Sequence, residues 1–188
     1  MKTLNALLLI AVCFATSCVV PQMVETSSPG THFTKFKKVS YVIRETPETE
    51  YGSDRNYDKS TLALLHAMLG SKLSSMGFEI TDPKHQPELA IDITITAVKQ
   101  GNAALRFLVG FGAGRAVLTY RAQFTDGAGN RLGTFDGGRS HTGNEFGESF
   151  ADADLIQAIA VTKSVQQIEE FINNNGSLTV AERAGVKP

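Results

Sequence analysis

The chain has 188 residues, with 18 lysines and arginines against 19 aspartates and glutamates, a formal net charge of −1. That balance lacks the basic field of a dedicated nucleic-acid binder, so nucleic acid is not among the expected partners. Its two cysteines, Cys13 and Cys18, both lie near the N-terminus, so the rest of the chain folds on its core without an internal disulfide.

Met1 and Lys2 form a short positive region, and Leu4 to Phe14 is apolar apart from Asn5. This is the pattern of a secretory signal, too short to span a membrane as a mature helix. The run Ala15-Thr16-Ser17-Cys18 resembles the lipobox of bacterial lipoproteins, in which cleavage precedes a cysteine that is then acylated. Ala stands at its first position, where Leu is commoner, and Ala15-Thr16-Ser17 also fits ordinary signal cleavage. The expectation is a signal peptide over 1–17 and lipidation at Cys18, with simple secretion to the periplasm as the alternative. Val19 is not the Asp that resembles an inner-membrane retention signal, so by analogy the anchor goes to the outer membrane, facing the periplasm. Residues 18–33 are expected to be the lipidated cysteine and a tether, 34–176 one domain, and 177–188 a loose tail.

Val39, Tyr41 and Ile43 alternate with polar neighbours, predicting a strand over about Lys38–Arg44, followed by a loop from Glu45 to Asn56. Lys35, Lys37 and Lys38 form a small basic cluster at the strand entry; phosphate headgroups are one partner for it, solvent the other. A helix follows, capped by Asp58, with Leu62, Leu65, Leu69, Leu73 and Met76 as its apolar stripe and Gly77 as its stop. Phe78–Thr81 reads as a short strand, Asp82–Pro87 as a turn, and Leu89, Ile91, Ile93 and Ile95 as the core face of a longer strand.

The stretch Leu105–Phe124 is the one around which the chain is organised. Leu105, Phe107, Leu108, Val109 and Phe111 crowd five large apolar residues together, and Gly110, Gly112 and Gly114 alternate through their end as structural glycines. From Arg115 a strand begins, with Leu118, Tyr120, Ala122 and Phe124 on one face and Thr119, Arg121 and Gln123 on the other. The apolar start has two readings: a strand buried on both faces, or a surface for association with a neighbouring subunit or a bilayer leaflet.

Thr125 to Asn130 has hairpin-loop chemistry, Leu132–Phe135 is the return strand, and Asp136–Gly147 reads as a long connection. Ser149 and Asp152 begin the last helix, whose stripe is Leu155, Ala158, Val161, Val165, Ile168 and Ile172. The element order predicts an α/β fold: a two-layer sandwich, with a mixed sheet of four to five strands and two helices packed on one face.

Glu88 to Ile93, Val109 to Ala116, and Thr125 to Asn130 with Leu132 resemble an uncharacterised bacterial lipoprotein family catalogued as domain of unknown function 4410. The resemblance runs over Lys38 to Asn175. It implies an envelope lipoprotein with no established activity, and it supplies no catalytic residues. More distantly, the element order resembles small α/β domains of envelope lipoproteins that assist polysaccharide export, curli secretion or peptidoglycan synthesis.

Three patterns bear on chemistry. Gly110, Gly112 and Gly114 lack dinucleotide-fingerprint spacing and lead into a strand, where that fingerprint needs a helix. Gly147-Glu148-Ser149-Phe150-Ala151 is one residue from a nucleophile elbow but has no buried strand before it, and a helix cap accounts for Ser149. Asp136, Arg139, His141 and Glu145 form the densest polar cluster, while His32, His66 and His85 are scattered outside any metal-ligand pattern. The expectation is a non-enzymatic, lipid-anchored binding or scaffolding component of an envelope assembly, with no cofactor and no metal. Its partners are the membrane through the anchor and either further copies of itself or another envelope protein. The alternative is a periplasmic ligand-binding module or hydrolase using the Asp136–Ser149 loop.

Overall fold

A computed structural model describes residues 25–27, 31–52, 54–100, 116–141 and 153–178. In chain order the elements are β1 (Glu25–Ser27), β2 (Lys38–Tyr51), α1 (Arg55–Ser75), β3 (Glu79–Ile80), β4 (Leu89–Lys99), β5 (Ala116–Asp126), β6 (Arg131–His141) and α2 (Ala153–Asn173), with 3-10 turns at Phe33–Lys35 and Pro83–His85. The six strands form one sheet in the order β1-β6-β5-β4-β2-β3. β2 runs parallel to β3 and β4, and every other pair is antiparallel, so the sheet is mixed. Both helices lie on one face, α1 over β2, β3 and β4 and α2 over β5 and β6. This is the two-layer α/β sandwich that the element order predicts, with six strands where four to five are expected because the short β1 adds to the edge at β6.

Side-chain period explains the layering. Leu89, Ile91, Ile93 and Ile95 of β4 and Leu118, Tyr120, Ala122 and Phe124 of β5 are at most 1% exposed, while the residues between them point to the helix-free face. Leu65, Leu69 and Leu73 of α1 and Val161, Val165, Ile168 and Ile172 of α2 close the core from above. At one end of that core four rings meet. Phe124 and Phe171 stack at 4.8 Å, Phe135 lies 4.8 Å from Phe171, and Phe33 meets Phe124 edge-on at 5.3 Å. Truncating one such buried ring to alanine costs about 3–5 kcal/mol.

Tyr120 Oη donates to Ser164 O (2.9 Å) and Gln167 Oε1 (3.1 Å), and the same amide oxygen accepts from Gly138 N (3.0 Å). This buried network sets α2 at one depth on β5 and β6. Across the helix pair, Gln157 Nε2 donates to Ser60 Oγ and Thr61 Oγ1, both at 2.8 Å, and Lys72 pairs with Glu169 at 3.1 Å. The order of these contacts along the two helices makes them parallel.

Several boundaries and one stripe residue differ from the sequence expectation, among them Leu178, which is 1% exposed in the core although it falls in the expected tail. Phe33 is fully buried and β1 pairs with β6, both within the stretch expected to be a tether. β2 continues through the expected loop to Tyr51, because an irregularity between Glu45 and Glu50 absorbs Pro47 while Thr49 Oγ1 donates to Ile95 O at 2.7 Å. The N-cap of α1 is Asp54, which accepts from Asn56 N and Tyr57 N; Asp58 lies buried in the first turn. β6 runs on to His141, although Asp136 onward reads as a connection. Leu155 is 49% exposed, because α2 turns Ile156 and Ala160 inward beside the expected Val161. Gly77 does stop α1, with φ +88° and Phe78 N bonded to Leu73 O.

Glu88, just before β4, accepts from Lys37 N at 2.6 Å and Lys38 N at 3.4 Å. These two bonds, before any charge effect, hold its carboxyl below the ordinary 4.5. A carboxyl lowered in the folded state stabilises the fold above its unfolded pKa, and that contribution is lost as pH falls through the folded value. Glu88→Gln is therefore expected to flatten the decline of thermal midpoint on acidification below pH 4.5. Glu50 and Asp126 are lowered as well, so the slope shrinks without vanishing. Equal slopes for the two proteins would show that Glu88 plays no such part.

Candidate functional site

The helix-free face of the sheet is the surface opposite the core that α1 and α2 cover. It is built from the alternate positions of four strands, and its side chains pair across strands. Arg44 of β2 bonds Asp92 of β4. Thr96 of β4 meets Thr119 of β5 at 2.8 Å. Arg121 of β5 stands in register with Asp136 of β6 and grips it with two bonds, Nε to Oδ1 at 2.6 Å and Nη2 to Oδ2 at 2.8 Å. The hydrogen bonds to Asp136 and then its charge raise the guanidinium pKa, with burial opposing slightly.

This face carries fixed, paired charges and hydroxyls on rigid strands, a surface suited to polar recognition. Asp136 does not belong to a loop cluster. Its carboxylate is committed to Arg121, a partner that only strand register brings close. The backbone of Arg139 and His141 continues β6; their side chains and Glu145 and Ser149 lie outside the described residues. So do Cys18, the apolar run of Leu105, Phe107, Leu108, Val109 and Phe111, and Gly110, Gly112 and Gly114. Arg44, Asp92 and Thr96 were absent from the sequence cluster, although each holds a polar alternate position of its strand, which is the signal that marks this face.

Among the described residues no three His, Cys, Asp or Glu side chains gather into a metal-binding group, and no helix is long and apolar enough to cross a membrane. His66 is exposed on α1, where Tyr41 Oη reaches its carbonyl at 3.1 Å and its Nδ1 at 3.3 Å. Burial raises the Tyr41 pKa, which keeps that phenol a donor. On the far side of the helices, a groove of about 530 Å³ runs between α1 and α2, floored by Met68 and Val165.

Residues 32–148 match the family described as "Domain of unknown function (DUF4410)". The chain belongs to that family. The match covers β2 to β6 and with them every residue of the polar sheet face. Among curated proteins none matches the chain. Solved structures with a similar course include a PelC dodecamer from Paraburkholderia phytofirmans, at 12% identity and TM-score 0.46, covering 76% of this chain and 94% of that one. A DUF4136 family protein from Bacteroides thetaiotaomicron follows at 9% identity and TM-score 0.40, covering 78% and 95%. A DUF330 protein from Xanthomonas campestris stands at 10% and 0.41, covering 80% and 87%. At these values the likenesses carry nothing about what this chain binds or does.

The Arg121 and Asp136 side chains are 60% and 30% exposed, and ion pairs this wet contribute little to folding. A double-mutant cycle with Arg121→Ala and Asp136→Ala, read by urea denaturation, is expected to give a coupling of no more than about 1 kcal/mol. A larger value would make the pair a structural clamp instead of a surface available to a partner.

Proposed function

We propose that this member of the family is exported, anchored by lipid at Cys18 in the outer membrane facing the periplasm, and serves an envelope assembly as a binding or scaffolding component without catalysis of its own. The observation that carries the proposal is the N-terminal sequence, a signal pattern ending in Ala15-Thr16-Ser17-Cys18. The polar sheet face supports the second half of it: a flat array of paired groups suits docking better than turnover, for which a nucleophile and base would need to converge. Asp136, the acid around which a catalytic loop could form, is occupied by Arg121.

One acyl chain holds a protein weakly, whereas the several chains of a lipoprotein cysteine hold it firmly. Cys18→Ser is expected to abolish fatty-acid labelling in cells and to move the protein out of the membrane fraction. A wild-type chain that takes up no label would end the lipoprotein assignment.

Association between copies is the second part of the proposal, through Leu105, Phe107, Leu108, Val109 and Phe111. Five large apolar side chains in so short a run are a patch that, if left uncovered, marks contact with another surface. Phe107→Asp together with Phe111→Asp is expected to keep a cooperative melt while lowering the oligomer mass measured by light scattering. If the double variant instead fails to fold, the stretch is core.

A further inference from the structure

One end of the domain gathers cations from three separate loops. Lys35 lies in the first 3-10 turn, Lys37 and Lys38 at the entry of β2, Lys84 and His85 in the second 3-10 turn, and Arg131 at the start of β6; all are exposed. Pairing brings these loops together. Glu79 N bonds Lys37 O, Glu88 N bonds Lys38 O, and Gly127 N, in the β5–β6 hairpin, bonds Glu88 O. Acids at this end include Glu79, Asp82, Glu88 and Asp126. The last three accept backbone N–H groups and stay ionised, Asp126 near Lys35 and Glu88 near Lys37 and Lys38, so five lysine and arginine charges face these four. Glu88 holds Lys37 N and Lys38 N, Asp82 holds Lys84 N at 2.8 Å, and Asp126 holds Ala128 N at 3.0 Å and Asn130 N at 2.8 Å. At the other end of β2 the exposed charges include Glu48, Glu50 and Asp54.

The chain also enters the domain here, since Phe33 packs against Phe124 of the hairpin and Phe171 of α2. β1 shortens the leash: Glu25 is paired with Phe135, so only the residues from Cys18 to Glu25 separate an anchor from the sheet. Seven extended residues reach at most about 25 Å. Phe135 stands four residues along β6 from Arg131, about 13 Å, so the cationic end is within that reach.

We propose that this end, carrying Lys35, Lys37, Lys38, Lys84 and Arg131 beside the incoming chain, is a docking surface for anionic phospholipid headgroups and holds the anchored domain against the membrane. The proposal rests on the lipid-anchor reading for its setting but is tested without the anchor. Cations next to an anionic bilayer each strengthen binding by about 1 kcal/mol, roughly fivefold, within a Debye length of the surface.

The mature chain from residue 18 onward, carrying Cys18→Ser, would be sedimented with vesicles of phosphatidylcholine alone and of phosphatidylcholine mixed with phosphatidylglycerol. Binding is expected only to the anionic vesicles, and is lost at about 1 M salt, where screening acts within about 3 Å. Lys35→Gln, Lys38→Gln and Lys84→Gln together should weaken it by more than about tenfold with an unchanged melt. Lys59→Gln with Lys163→Gln, on the exposed sides of the helices, should leave it as it was. Equal binding by the first variant, no preference for anionic vesicles, or binding to a soluble anionic polysaccharide but not to vesicles would each overturn the proposal. Failure of fatty-acid labelling at Cys18 would remove the anchor and leave the vesicle result standing.

Discussion

The four-ring cluster of Phe33, Phe124, Phe135 and Phe171 joins parts of the chain that sequence separates widely. Phe33 comes from the segment leading into the domain, Phe124 and Phe135 from the two arms of one hairpin, and Phe171 from the last helix. Each is fully buried, so each gives up contact with water only if the other three are in place. Aromatic pairs add about 0.5–1.5 kcal/mol beyond the area they bury. The exposed ion pairs on the opposite face are worth about 0–1 kcal/mol each. Folding is therefore decided on the helix side of the sheet, and the other face is free to carry charge for other purposes.

A second constraint fixes where α2 sits. The Gln167 amide oxygen receives both the Tyr120 hydroxyl and Gly138 N, and these groups are buried. Burying them without such bonds would cost about 1–3 kcal/mol apiece, so the helix cannot slide along the strands. Gly138 can take this role because its φ of +130° turns its N–H toward the helix, in a conformation that few side chains tolerate, and a Cβ there would meet Leu118 O at 2.3 Å.

Much of the fold is legible in sequence where one physical signal acts alone. The alternation from Leu118 to Phe124 is plain because β5 is central and one of its faces is covered. β2 beyond Arg44 is hidden, because Pro47 and the charges of Glu45, Glu48 and Glu50 are both loop chemistry and the chemistry that shields an edge strand from unwanted pairing. Gly137 and Gly138 hide the end of β6 for a related reason: they read as flexible linker residues, but a Cβ on Gly137 would stand 2.7 Å from the Tyr120 ring. The start of α1 is missed because Asp54 and Asp58 are equally good caps by type, and only the backbone at Asp54 decides between them.

The candidate face is less legible than the fold, for a reason that applies to any sheet. Its residues announce themselves one strand at a time, as polar alternates of Ile or Leu, but pairing between strands is a matter of register. Arg121 and Asp136 are joined by a hairpin whose two arms differ by one irregular step between Phe124 and Thr125. A single residue's shift in that step would turn Asp136 to the core side and Phe135 outward. Burial of Phe135 in the ring cluster excludes that shift, so the packing of the helix side dictates the charge pairing of the open side. The two faces are thus one design: aromatic packing selects the register, and the register presents Arg121, Asp136 and their neighbours as a fixed polar array.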